Sequence, residues 1–88
     1  MAGTTVHTLS APQRCMLLEL LVSEREGEPG LHVGDYPGRA RAARSLCRLR
    51  LADWTPERTL VFTAVGRAVA EQLATRLVDR AAYAALVS

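Results

Sequence analysis

Between residues 27 and 38 the chain carries Gly27, Pro29, Gly30, Gly34, Pro37 and Gly38, a density of helix breakers that excludes any long helix there. An 88-residue chain that is 49% hydrophobic is expected to form one packed domain, residues 1–88. Its core must therefore be assembled from the segments on either side of this break. Residues 31–36 within it have room for one helical turn or a short extended piece.

Upstream, residues 1–9 read as an N-terminal arm or short strand, with Val6 and Leu9 able to reach the core. Ser10-Ala11-Pro12-Gln13 then makes a helix start: Ser10 can cap, Gln13 can return the capping-box bond, and Pro12 falls in the first turn, where no amide partner is lost. Met16, Leu17, Leu18, Leu20, Leu21 and Val22 cover most of the circumference, which predicts a central, buried helix ending near Glu24. Downstream, a second helix is expected over 39–50. Ala42, Ala43, Leu46, Cys47 and Leu49 form one side of it, and Arg41, Arg44, Ser45 and Arg48 form the other. Residues 51–54 and 59–63 flank Pro56-Glu57-Arg58 as strand, tight turn and strand, with Trp54 and Phe62 expected to anchor the hairpin to the core. Thr63 can cap a last helix over 64–87. Its stripe of Val69, Leu73, Leu77, Ala81 and Ala84 is long for a small core, and Gln72, Arg76, Asp79 and Tyr83 lie on its polar face. The expected class is mainly α with a small β-hairpin, built from three to four helices.

Charge is unevenly spread. Net charge is only +2, yet five of the eleven arginines, Arg39, Arg41, Arg44, Arg48 and Arg50, fall where no acidic residue occurs, while Glu24, Glu26 and Glu28 cluster earlier. An ordinary solvated helix face mixes signs at i, i+4, because like charges there subtract stability. The unrelieved row at 41, 44 and 48 therefore points to an anionic partner. Trp54 and Phe62 have a base-stacking alternative on the sheet, and Tyr36 is placed either to touch a phosphate or to plug the turn.

Other chemistry has little support. Cys15 and Cys47 sit among apolar neighbours and are expected to be buried free thiols; with His7 and His32 they show none of the close spacings of a zinc site. No nucleophile constellation is present, and Gly27-Glu28-Pro29-Gly30 lacks the lysine and the helix of a phosphate-binding loop, so neither an enzyme nor a cofactor is expected. There is no apolar run long enough to span a bilayer and no signal-peptide pattern, which makes the cytoplasm the expected compartment.

The stretch RARAARSLCRLRLADW, a short turn, and then LVFTAVGRAVAEQL resemble the winged helix-turn-helix transcription regulators of bacteria and phages. In that family a recognition helix runs into a strand, a wing hairpin follows, and the return strand ends in a Leu/Phe-Thr-x-x-Gly helix start, matched here by Phe62-Thr63-Ala64-Val65-Gly66. The likeness covers residues 10–75. It implies that 39–50 is the recognition helix, that 54–60 is the wing, and that the final helix dimerises through Val69, Leu73, Leu77, Ala81 and Ala84. Two departures stand out: the helix that should precede the recognition helix has only residues 31–36, and the wing tip carries a single arginine, Arg58.

The expected function is binding of double-stranded DNA as a small dimeric regulator. Arg41, Arg44, Ser45 and Arg48 would face the major groove, with Arg39 and Arg58 as flanking phosphate contacts. The alternative is a winged-helix module that docks on an acidic protein surface.

Overall fold

The computed structural model describes residues 9–76, 81 and 83–86. In chain order it contains α1 (Ala11–Arg25), α2 (Pro37–Arg48), β1 (Ala52–Trp54), β2 (Leu60–Phe62) and α3 (Ala64–Thr75), with further helical backbone at Ala81 and 83–86. The protein is thus mainly helical with a two-stranded antiparallel hairpin, and among the described residues no helix is long and apolar enough to cross a membrane.

α1 begins as its sequence dictates. The Gln13 amide donates to Ser10 Oγ at 3.3 Å, and the Ser10 amide donates to Gln13 Oε1 at 2.8 Å, which satisfies two donors a helix start would otherwise leave unpaired. α1 lies at the centre, packed against both α2 and α3. Its Leu17, Leu18 and Leu21 are fully buried together with Leu46, Leu51, Leu60 and Leu73, each stabilising the fold by about 1.5–3 kcal/mol through removal of apolar surface from water. Leu9 joins this cluster, while Val6 lies outside the described residues. Cys15 departs from expectation: it is exposed, because it stands on the outer side of α1, whose buried positions start at Met16. Cys47 is half-buried.

The segment after α1 is extended rather than helical. Leu31 and Leu60 exchange amide-to-carbonyl hydrogen bonds at 2.8 and 2.9 Å, so β2 is flanked by β1 on one side and by this single antiparallel bridge on the other. In the hairpin Ala52 pairs with Phe62, Asp53 with Val61 and Trp54 with Leu60. α2 is shifted by two residues from the expected 39–50. It ends at Arg48, and Arg50 takes a positive φ of 63°.

β2 feeds directly into α3, where Thr63 Oγ1 accepts from the Gly66 amide at 3.0 Å. A Cβ at Gly66 would collide with the Leu51 carbonyl oxygen, so only glycine lets α3 approach the start of the hairpin this closely.

The expected single helix over 64–87 is not formed. α3 stops at Thr75, whose hydroxyl donates to the Gln72 carbonyl at 2.7 Å, and Arg76 is extended (φ −79°, ψ 145°). An uninterrupted helix would carry Tyr83 about 24 Å beyond Arg67 at 1.5 Å per residue. Instead Arg67 pairs with Glu24 and Tyr83 meets Arg25, so both lie at the end of α1. Tyr83 is half-buried against the core, with Arg25 5.2 Å over its ring, and is not on a polar face; burying the ring on its own domain outweighs extending a helix into solvent.

Candidate nucleic-acid interface

α2 starts with Pro37 in its first turn and turns Ala42, Ala43 and Leu46 inward, where two small residues allow it to sit close to α1. On the opposite side Arg41, Arg44 and Arg48 are exposed, and among the described residues none of them has an ion pair or a side-chain hydrogen bond. Three like charges at i, i+3 and i+7 weaken the helix by a few tenths of a kcal/mol per close pair. The fold makes no internal use of them.

Two residues expected on this face are instead structural. Arg39 donates through Nε to the Val33 carbonyl at 2.8 Å and through Nη1 to Glu19 Oε2 at 3.0 Å, tying the loop before α2 to α1. The hydrogen bond to Glu19 raises its already high pKa further, against partial desolvation. Ser45 is half-buried: its hydroxyl accepts from Gln13 Nε2 at 2.8 Å and donates to the Ala42 carbonyl at 2.8 Å. It stands one step around the helix from Arg44, toward α1, and its hydroxyl is engaged by α1 and by its own helix.

At the hairpin, Arg58 occupies the turn with φ 65° and an exposed side chain, its amide donating to the Thr55 carbonyl at 2.9 Å. Trp54 is 41% exposed rather than a core anchor. It shares a face with buried Ala52 and pairs across the ribbon with fully buried Leu60, yet stays exposed at the turn end of a three-residue strand. Its ring borders a groove of 390 Å³ lined by Val33, Gly34, Asp35, Thr55 and Arg58. Phe62 does pack against the core, with Arg67 5.7 Å over its ring. Tyr36 is 75% exposed, so it does not plug the turn before α2.

A second groove lies at the other end of β1, bordered by Cys47, Arg48, Arg50, Ala52, Asp53 and Thr63. Burial, and then the nearby Asp53 carboxylate, push the Cys47 thiol pKa up, which keeps it protonated and a poor nucleophile. Arg50 continues the line of Arg48 into this groove. No helix-end signal in the sequence pointed to it, since glycine is the usual residue at such a position.

The expected dimerisation stripe is divided. Val69 and Leu73 are buried in the domain's own core, Ala81 and Ala84 are exposed, and Leu77 lies outside the described residues. No family model matches the chain, and neither a curated protein nor a solved structure matches it.

Proposed function

We propose that the protein binds double-stranded DNA, laying the Arg41, Arg44 and Arg48 face of α2 in the major groove, and that its fold is a winged helix lacking the helix before the recognition helix. The observation that carries this is three exposed arginines on one helical face with no acidic partner among the described residues. The element order, helix, bridging strand, helix, hairpin, helix, supports the fold reading. A B-form major groove is wide enough to admit a helix, and guanidinium groups fork onto guanine or hold phosphates.

Titration of a labelled duplex at two salt concentrations tests it. With three phosphates neutralised per copy, counterion release lowers affinity about 40-fold between 50 and 200 mM salt for one copy, and about 10³-fold for two copies bound together. The proposed homodimer, of whose expected stripe Ala81 and Ala84 are the exposed members among the described residues, is tested by light scattering on the intact protein. A triple Arg41/Arg44/Arg48→Ala variant that binds as the parent does would refute the assignment of α2.

The exposed Trp54 and Tyr36 favour a second reading, docking on an acidic protein surface, since aromatics and arginine are enriched at such interfaces. Failure of the intact protein to bind any duplex at 50 mM salt would select it.

A further inference from the structure

α1 and α2 end on the same backbone device but differ in the residue at its left-handed position. After α1 the chain turns through Gly27 (φ 80°), with the Glu28 amide donating to the Ser23 carbonyl at 3.0 Å and the Gly27 amide to the Glu24 carbonyl at 3.1 Å. After α2 the Leu51 amide donates to Leu46 at 2.9 Å and the Arg50 amide to Cys47 at 3.0 Å, the same closure, yet the left-handed residue is Arg50 (φ 63°). The hairpin repeats the choice: Pro56-Glu57-Arg58 is a three-residue loop whose last position favours glycine, and Arg58 fills it at φ 65°.

An L side chain is disfavoured in this region because its Cβ crowds the backbone. Glycine would make the same turns without that cost, and neither arginine side chain recovers it within the fold. Both are exposed, and among the described residues neither forms an ion pair or a side-chain hydrogen bond. Asp53 borders the groove of Arg50, and Asp35 that of Arg58, without pairing with either. Backbone strain kept without a structural return is a mark of binding sites.

We propose that Arg50 and Arg58 are phosphate contacts, set at left-handed positions so that hydrogen-bonded turns, rather than flexible loops, aim them at the partner's backbone. This rests on the duplex-binding reading and extends it from α2 along the hairpin. Arg50 continues the basic face, since it borders the same groove as Arg48. Strand rise puts Arg50 and Arg58 roughly 15–20 Å apart, too far for one phosphate, so each holds its own.

Arg50→Gly and Arg58→Gly relieve strain and remove a cation in one step, so stability and binding should move in opposite directions. Each should raise Tm by a few degrees, up to roughly 4–8 °C. Each should also weaken duplex binding whatever the sequence, and flatten the dependence of log affinity on log salt by about one per copy bound. Arg50→Lys keeps charge and strain, and should match the parent in both measurements. Gly variants that bind as tightly as the parent, while the α2 triple alanine variant loses binding, would overturn this proposal and leave the α2 reading standing. Gly variants that melt earlier would show that the guanidinium groups serve the fold, which also overturns it. A parent protein that binds no duplex at 50 mM salt removes both readings.

Discussion

Gln13 Nε2 donates to Ser45 Oγ at 2.8 Å, joining the first turn of α1 to the middle of α2 across 32 residues of sequence. The same Gln13 side chain closes the capping box on Ser10 through its Oε1. One side chain therefore fixes where α1 starts and how α2 lies on it. Ser45→Ala removes the bridge and the hydroxyl's bond to the Ala42 carbonyl while sparing the capping box, and should cost about 1 kcal/mol in urea unfolding. Gln13→Ala removes bridge and box, and should cost about 1–2 kcal/mol. A double-mutant cycle should show coupling, because the two changes share one hydrogen bond. Duplex affinity of Ser45→Ala should stay at the parental value; a loss beyond that explained by unfolding would return Ser45 to the interface.

Arg39 and Arg41 are two residues apart and should behave oppositely. Arg39→Ala leaves the Val33 carbonyl and Glu19 without their donor, and should destabilise by about 1 kcal/mol, discounted for partial exposure of the ion pair. Arg41→Ala should change stability by less than about 0.5 kcal/mol while weakening duplex binding. Equal melting temperatures for the two variants would contradict the assigned contacts.

Gly66→Ala separates local propensity from packing by sign. In an exposed helix, glycine to alanine stabilises by about 0.8–1.0 kcal/mol. Here the new methyl would meet the Leu51 backbone, which cannot rotate away, so a loss of at least about 2 kcal/mol is expected in denaturant unfolding. A gain would mean that α3 stands further from the hairpin.

Glu24 gives the fold a dependence on acid. Its carboxylate takes two hydrogen bonds from Arg67, at 2.9 and 2.6 Å, and these hold its pKa below the ordinary 4.5. A carboxyl with a lowered folded pKa contributes its stability fully above the unfolded value and loses it as pH falls through the folded one. The pair is exposed, so the effect is small and screened by salt. Glu24→Gln should therefore melt slightly below the parent at pH 7, with the difference vanishing on acidification well below pH 4.5. A difference that persists in strong acid would assign the loss to packing instead.

The starts of α1 and α3, the breaker segment and the hairpin were legible because each rests on local chemistry: Ser10 with Gln13, Thr63 as a cap, and Pro56-Glu57-Arg58 between β-formers. The exposed arginines at 41, 44 and 48 were legible from helical spacing for the same reason. What was not legible depends on a distant partner. Nothing near Arg39 announces Glu19, and nothing near Ser45 announces Gln13. Trp54 looks like a core residue in its own segment, yet it is exposed although its cross-strand partner Leu60 is buried. The break after Thr75 escapes a pattern search because the alanine-rich stripe continues unbroken through it, while the ring contact of Tyr83 with Arg25 spans 58 residues.

The junction of α2, the hairpin and α3 has a mechanical meaning. Thr63 donates its hydroxyl to the Arg50 carbonyl at 2.7 Å and its amide to the Leu51 carbonyl at 3.2 Å, and Gly66 presses on that same Leu51 oxygen. Both ends of the ribbon are thus pinned at its root, on the two residues that leave α2. The bridge from Leu31 to Leu60 holds the ribbon again further out, and the tip at Pro56, Glu57 and Arg58 projects past it. Residues added to or trimmed from the tip change how far the ribbon extends and leave its angle to α2 as it was.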